Sequence, residues 1–483
     1  MDFRVISHFL GEISFAQGGV FFLPLVMALW FGEECIWCFV LTIGICALTA
    51  WILLYYGAKR TAKLTIREGI AITAFGWFLA TLLGMLPYVI GGYLGLLDGI
   101  FESISGFTGT GATVITDIEA LPQSILLWRS MTHWLGGLGI VVIFIALLPE
   151  AGQSSVYMYN AESTGPTRER VLPRLQDMIK ALFRIYMAFT GVAFIVFILC
   201  GMDFISAVNH AMSVCAAGGF STFNASAAHF NSVAVEMWMT FFMVLVGGNF
   251  GLYFQVWRKG IGVLKKNTEF KAYLLVLAIA TILNGADLIE YYGISAATAF
   301  RYAAFQVASV STTGFVSADY DQWPSFSKII LMFLMISGGC AGSTAAGVKI
   351  SRLVILVKAV RAVIDEKLHP RMIREVTMNG VAVGESTIIR VSLFFFMYIM
   401  FIVLWAVLLT WDGIAIFDAV GISVTTMGCI GPSFGITGAT CTYAGLSSFA
   451  KTILCISMLL GRLEMFTILV MLQRRFWKRN SMW

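Results

Sequence analysis

Charge is the scarcest property of this sequence. Asp, Glu, Lys and Arg together make 12% of its 483 residues, against roughly 25% in soluble domains. That shortage excludes a water-soluble globular chain. With 59% hydrophobic residues and a mean hydropathy of +0.85, the solvent for most of the protein is lipid. Histidine is rare too: His8, His133, His210, His229 and His369 show no metal-ligand spacing, and each is expected to serve structure. Missing altogether are H-E-x-x-H, a paired catalytic Asp and a G-x-S-x-G with partners, so no enzyme and no cofactor is expected. No tract rich in Lys and Arg stands apart from the membrane pattern, and the net charge of +5 calls for no nucleic acid. A small-residue cleavage site is also missing after the first apolar run, which is therefore expected to stay as a helix.

What the sequence has in abundance is long apolar runs. Near 15–31, 35–57, 69–92, 127–148, 181–201, 233–257, 272–290, 327–347 extending to about 363, 388–411 and 449–473 they reach the roughly 17 to 25 residues that cross a hydrocarbon core as a helix. These are helices because bare backbone cannot face lipid, and barrel strands would alternate over about ten residues. The nine cysteines lie mostly inside the runs as small packing residues, and Cys35 and Cys38 form a lone C-x-x-C read the same way. Every second connector is basic: Lys59, Arg60, Lys63 and Arg67; Arg168, Arg170, Arg174 and Lys180; Arg258, Lys259, Lys265, Lys266 and Lys271; Lys358, Arg361, Lys367, Arg371 and Arg374; Arg474, Arg475, Lys478 and Arg479. The alternate connectors carry acids such as Glu33, Glu34, Asp98, Glu102, Asp203, Asp287, Asp319, Asp412 and Asp418. Short cytoplasmic loops hold the excess of Lys and Arg, so both termini are expected in the cytoplasm.

After two introductory helices within 1–68, the chain repeats one plan in units drawn at 69–165, 166–266, 267–375 and 376–483. Each unit is a helix, a shorter apolar segment ending in Gly with Thr or Ser nearby, and a second helix. The first short segment is Leu97-Asp-Gly-Ile-Phe-Glu-Ser-Ile-Ser-Gly-Phe-Thr-Gly-Thr-Gly-Ala-Thr113, and the fourth is Phe417-Asp-Ala-Val-Gly-Ile-Ser-Val-Thr-Thr-Met-Gly-Cys-Ile-Gly-Pro432. Both place an Asp thirteen residues before the terminal Gly, Asp98 before Gly111 and Asp418 before Gly431. The middle segments keep only the ending, Ser213-Val-Cys-Ala-Ala-Gly-Gly-Phe-Ser-Thr222 and Ala308-Ser-Val-Ser-Thr-Thr-Gly-Phe-Val-Ser317.

At some 13 to 18 residues, each segment is too short to span at 1.5 Å per residue. It must enter and leave on one side. Unpaired carbonyls at membrane depth are tolerated only along a water- or ion-filled path. Four such loops around one axis give rings of backbone oxygens able to replace the hydration shell of a monovalent cation such as K⁺. Gly at the tip permits φ > 0 and leaves the axis clear. The expected fold is an all-α polytopic membrane protein, two introductory helices and four helix–pore loop–helix repeats around a pseudo-fourfold pore.

The stretches Gly106-Phe-Thr-Gly-Thr-Gly-Ala-Thr113, Trp134-Leu-Gly-Gly-Leu-Gly-Ile-Val-Val142, Gly218-Gly-Phe-Ser-Thr222, Ser311-Thr-Thr-Gly-Phe315, Gly339-Cys-Ala-Gly-Ser-Thr344 and Gly461-Arg-Leu-Glu-Met-Phe-Thr467 resemble the Trk-type bacterial potassium-uptake pore subunits. Their superfamily includes the Ktr and plant HKT transporters. The resemblance implies gated K⁺ uptake across the bacterial cytoplasmic (inner) membrane, a homodimer with one pore per protomer, and a soluble nucleotide-binding regulatory subunit on the cytoplasmic side. It also implies a K⁺ filter at Gly109, Thr110 and Gly111; Ala217, Gly218 and Gly219; Thr312, Thr313 and Gly314; and Cys429, Ile430 and Gly431. In the family, Gly in the first loop goes with K⁺ and Ser with Na⁺ in some plant members; Gly111 matches the K⁺ type. Gly109 departs from the family, which often has Thr there. Loop four, Met-Gly-Cys-Ile-Gly-Pro, lacks the Asn that relatives often carry near the turn. Both changes leave the backbone ligands in place.

Unit three contains Ser337-Gly-Gly-Cys-Ala-Gly-Ser-Thr-Ala-Ala-Gly-Val-Lys349, with Gly338, Gly339, Gly342 and Gly347 inside ten residues. At about 1 kcal/mol per Gly against Ala in a helix interior, a continuous helix is not expected. An unwound segment closing the pore below the third loop is the expected gate; close helix packing through small residues is the other reading. Relatives often have Gly-Gly where this chain has Ala345-Ala346, which makes a stiffer loop. Arg462 falls near the middle of the last span, where a charge is costly. Facing the pore it would repel K⁺ as a barrier; otherwise it pairs with another helix. Glu464 points elsewhere on that helix. Lys349 and Arg352 either bind acidic groups or snorkel to the inner boundary. Asp98, Glu102 and Asp418 either concentrate cations at the mouth or complement helix dipoles. A K⁺/H⁺ or K⁺/Na⁺ symporter of the same architecture is the alternative function. Alternating-access carriers usually show inverted repeats, whereas these four share one orientation.

Overall fold

The computed structural model describes residues 1–57, 65–137, 139, 175–369 and 375–477. The first span starts at Phe3 and not near 15. Phe3–Val20 continues almost directly into Phe22–Phe31, a stretch of 29 residues. Its polar-looking start is membrane helix because it packs against Ile36–Tyr56. Ser7 and Ser14 donate to the carbonyls of Leu53 and Cys46 at 2.7 and 3.0 Å, and a Cβ on Gly11 would stand 2.8 Å from the Leu54 side chain. Small residues of this kind let helices approach closely in lipid.

Four units follow. Unit one has Ile66–Gly84 and Leu86–Ile90, a short helix Leu96–Thr108, and Gln123–Gly137. Unit two has Leu175–Leu199, the short Phe204–Cys215, and Val233–Val246. Unit three has Thr268–Tyr292, the short Ala296–Thr312, and Ser325–Ser337. Unit four has Glu385–Trp411, the short Ile416–Gly428, and Ser448–Arg462. The starts are coded locally. Thr65 and Glu68 form a capping box, and the side chains of Asp203, Ser232, Asn267, Ser295 and Ser447 accept from third-residue amides of the helices they open.

The second helices differ from expectation. The runs 233–257 and 449–473 are not straight spans: Val233–Val246 meets Phe250–Lys259 at 89°, and Ser448–Arg462 meets Met465–Leu472 at 112°. The first bend follows from Gly247-Gly248 and from Asn249, whose side chain accepts from the Leu252 amide at 3.1 Å and starts a new helix. The second sits at Glu464, which takes φ 56°. In unit three the helix stops at Ser337 and resumes as Ile350–Leu368. Among the described residues, six helices are long and apolar enough to cross singly, or up to eight crossings if each bent pair is one span, by length and composition. The expected spans in the other two units are represented by the shorter helices Gln123–Gly137 and Ser325–Ser337.

Trp51, Ile279, Phe333 and Val403 point outward, as lipid-facing residues of a bundle do. Phe3 stacks on Trp477 at 6.2 Å, and Arg67 donates to the Phe476 carbonyl at 3.4 Å, so both ends of the described chain meet on one face. The rest of the run 127–148 beyond Gly137, Gly139 aside, lies outside the described residues. So do Lys59, Arg60, Lys63, Arg168, Arg170, Arg174, Arg371, Arg374, Lys478 and Arg479.

Candidate functional site

Each short helix ends in the same closure. The amides of Thr110, Gly218 and Gly314 donate five residues back to Ser105, Ser213 and Ser309 at 2.9 Å, and Ile430 donates to Thr425 at 3.0 Å. Such a closure normally passes through a left-handed residue. Gly109, Ala217 and Cys429 supply it at φ 73°, 55° and 52°. A side chain there costs roughly 1–2 kcal/mol, so Ala217 and Cys429 hold that conformation only because the surroundings impose it. Loop three reaches its tip glycine one residue sooner, and Thr313, at φ −123°, makes no left-handed turn. The tip glycines Gly111, Gly314 and Gly431 take φ 79°, 98° and 98°.

Those tips form a closed ring. A Cβ on Gly111 would stand 2.8 Å from the amide of Gly219; on Gly219, 2.9 Å from the Thr313 and Gly314 oxygens; on Gly314, against the Ile430 oxygen; on Gly431, 2.5 Å from the Thr110 oxygen. Loop one thus meets two, two meets three, three meets four and four meets one, main chain to main chain. The same order is tied beyond the tips. Ile118 donates to Asn224 at 2.8 Å, Ala228 to Val316 at 3.1 Å, Gly435 to Asp321 at 3.1 Å and Tyr443 to Thr113 at 2.8 Å. All four short helices direct their C-terminal ends into the ring, each worth about half a negative charge. That field favours a cation on the axis.

Arg129, a side chain the sequence reading did not single out, braces the ring together with Glu102. Arg129 is 1% exposed and Glu102 is fully buried, with Nε to Oε1 at 2.9 Å. Arg129 also donates to the Ser221 carbonyl at 3.1 Å and the Thr113 hydroxyl at 3.3 Å, and its guanidinium lies 4.1 Å from the Phe220 ring. It joins loop one to loop two. Glu102 is therefore a buried internal partner and not an acid of the mouth. His133 works beside it. Its Nδ1 lies 2.6 Å from the Gly106 carbonyl while Nε2 accepts from the Phe220 amide at 3.1 Å, which fixes a neutral ring with the proton on Nδ1. Asp98 pairs with Lys451 at 2.7 Å, and Asp418 accepts from the Ile436 amide at 3.4 Å. At the connector before the second short helix, burial raises the Asp203 carboxyl, but bonds from Ser206 outweigh that and hold it below the usual carboxylate range.

Below the ring, residues 338–349 leave the helix as a compact excursion. Gly338, Gly342 and Gly347 take φ 64°, 74° and 83°, and Lys349 takes 76°. The neck is closed by Val348 to Ile336 at 3.1 Å, Lys349 to Ser337 at 3.0 Å and Ile350 to Gly339 at 3.0 Å. A Cβ on Gly339 would stand 2.7 Å from the Gly247 carbonyl. Lys349 is buried and its ammonium donates to the Ala345 carbonyl, so it folds into the excursion and does not snorkel. Arg462 donates to the Thr344 carbonyl at 2.8 Å and to Gly136 and Gly137 at 2.5 and 2.8 Å. Its charge is thus spent on carbonyls of units three and one. Glu464 pairs instead with Arg352 at 2.5 Å.

Comparison with known proteins matches residues 38–479 to the family of cation transport proteins called TrkH. The chain belongs to the TrkH family. Across 99% of this chain and all of the relative, it is 33% identical to the Trk system potassium uptake protein TrkH of Halomonas elongata and 30% identical to TrkH of Escherichia coli K12. TrkG of Escherichia coli K12 is 32% identical over 98% of this chain and 99% of its own length. The crystal structure of the potassium transporter TrkH from Vibrio parahaemolyticus superposes with a TM-score of 0.89 at 30% identity, covering 99% of this chain and 100% of that one. As a TrkH-family member the chain is a transport protein and not an enzyme, and the polytopic helical fold expected from the sequence is the fold of this family.

Proposed function

We propose that this chain takes up K⁺ across a bacterial cytoplasmic membrane along the axis of the four-loop ring. The observation that carries the reading is the cyclic main-chain contact of Gly111, Gly219, Gly314 and Gly431. Carbonyls of Gly109, Thr110, Ala217, Gly218, Thr312, Thr313, Cys429 and Ile430, with those of the tips, replace the hydration shell of the ion. The potassium-uptake names of the relatives support K⁺ as the cargo, and the path needs no cofactor. The excursion containing Gly338, Gly339, Gly342, Gly347 and Lys349 is the gate, and Arg462 both holds it and places positive charge under the ring.

The unit boundaries 69–165, 166–266, 267–375 and 376–483, with both termini cytoplasmic, belong to the same proposal. So do a homodimer and a nucleotide-binding regulatory subunit on the basic face, supported by the family resemblance. Growth of a host lacking K⁺ uptake is the direct test. Expression of this chain restores growth at low K⁺; full-length protein in the membrane without growth or Rb⁺ uptake contradicts the reading. A reversal potential that follows the K⁺ gradient and ignores both pH and the Na⁺ gradient separates a pore from a symporter.

A further inference from the structure

One buried carboxylate holds both ends of the unit-three break. Glu269 stands in the first turn of Thr268–Tyr292, a helix opened by the Asn267 cap, and is 6% exposed. Its Oε1 accepts from the Ala341 amide at 2.6 Å, inside the excursion, and from the Ser351 amide at 3.1 Å, in the first turn of the resumed helix. First-turn amides have no acceptor within their own helix, and an anion there also complements the helix dipole. Glu269 therefore caps Ile350–Leu368 from a different element. Through the same oxygen it binds the excursion ten residues earlier in the chain.

The remaining contacts define what such a bond controls. The neck bonds between 336–339 and 348–350 keep the two ends of the excursion together, so it moves as one body. Cys340 donates to the Gly247 carbonyl at 2.8 Å, and Gly342 accepts from Phe250 at 3.1 Å. Thr344 donates to the Cys215 carbonyl at 3.3 Å and accepts from Arg462 at 2.8 Å. Among the described residues, Arg462 and Glu269 are ionic side chains from outside the segment that grip its main chain. The cation takes a carbonyl at Thr344, and the anion takes amides at Ala341 and Ser351. A shift of Ile350–Leu368 draws the Ser351 amide off the carboxylate and weakens the hold on Ala341 with it.

We propose that Glu269 is the latch of this segment, a positioning residue that ties the excursion to the resumed helix and keeps it seated under the ring. The proposal rests on the gate reading above. Cys340, buried beside Ala341, is a native reporter of the seat. Full-length protein in K⁺-loaded liposomes is exposed to maleimide, labelling is read site by site from peptide masses, and K⁺ flux is measured on the same samples. Glu269→Ala is expected to raise both Cys340 labelling and flux about tenfold, the scale of losing hydrogen bonds to a charged group. Glu269→Gln raises both by less, because its carboxamide oxygen still accepts. Cys46, buried in the helix Ile36–Tyr56 away from the excursion, stays protected if the effect is local.

Cys340 as protected in Glu269→Ala as in the unaltered chain overturns the latch. Where the Ala variant is not monodisperse, Glu269→Gln carries the same comparison. Deleting 340–346 separates the two claims. Raised flux in the deletion, with labelling and flux unchanged in Glu269→Ala, keeps the gate and removes the latch. Raised Cys340 labelling in Glu269→Ala, with flux unaltered both there and in the deletion, keeps the latch and removes the gate.

Discussion

Gly314 has almost no room for a side chain. At φ 98°, an alanine there is strained by roughly 1–2 kcal/mol, and its Cβ runs into the Ile430 carbonyl. Gly314→Ala is therefore expected to lower K⁺ flux by at least about tenfold, the equivalent of some 1.4 kcal/mol, with the protein still inserted and dimension-exclusion profiles unchanged. Unaltered flux would mean that the tips are not the narrow point of the path. Arg129 makes a different kind of prediction, because its partner is a buried carboxylate. Arg129→Ala leaves Glu102 unpaired, at a cost of about 3–5 kcal/mol, and thermal unfolding in detergent should show it. The double variant Arg129→Ala with Glu102→Ala is expected to recover part of that loss; a double variant worse than the single one contradicts the pairing. The tip glycines were legible in the sequence because a re-entrant turn is a local requirement, met within a few residues. Arg129 was not, because its role depends on Glu102 27 residues away and on Ser221 92 residues away. Glu102 was misjudged for the same reason: from sequence it is an acid near a helix start, and only packing shows it buried.

At the scale of elements, hydropathy located the crossings and hid their breaks. A helix bent at Gly247 or at Glu464 has the same apolar count as a straight one, so the runs 233–257 and 449–473 gave no sign of 89° and 112° bends. Only the glycine density of 338–347 was high enough to announce a break. The bent second helices and the excursion pack together. Gly247 and Phe250 bond to Cys340 and Gly342, and Arg462, the last residue before the unit-four bend, bonds to Thr344. Arg462→Ala removes three carbonyl contacts and the positive charge at once, so flux is expected to rise by about tenfold or more. Arg462→Lys should restore little of the closure, since an ammonium keeps the charge but lacks the planar fork that reaches several carbonyls. A Lys variant as tightly closed as the original chain would assign the effect to charge alone and not to the bridge.

The whole molecule is a ring of unequal quarters. Loops one and four share an Asp-to-Gly spacing, and Asp98 and Asp418 both stand in the first turn of their short helices. Loops one, two and four share the left-handed turn, and loop three reaches the ring without it. In the proposed reading, selectivity comes from backbone oxygens held in place by neighbours, and equivalence of the four side-chain sets is not required. Closure of the ring could not be read from the sequence, because each tip is completed by the next unit about a hundred residues away and the fourth returns to the first. The account's central claim is that K⁺ passes and is selected at this ring, and reversal potential under opposed K⁺ and Na⁺ gradients in a planar bilayer tests it most directly. The original chain should reverse near the K⁺ equilibrium potential. Gly111→Ser, which sets a side chain against Gly219, should move the reversal toward Na⁺. The same K⁺-selective reversal in both proteins would contradict a filter made by the four glycine tips.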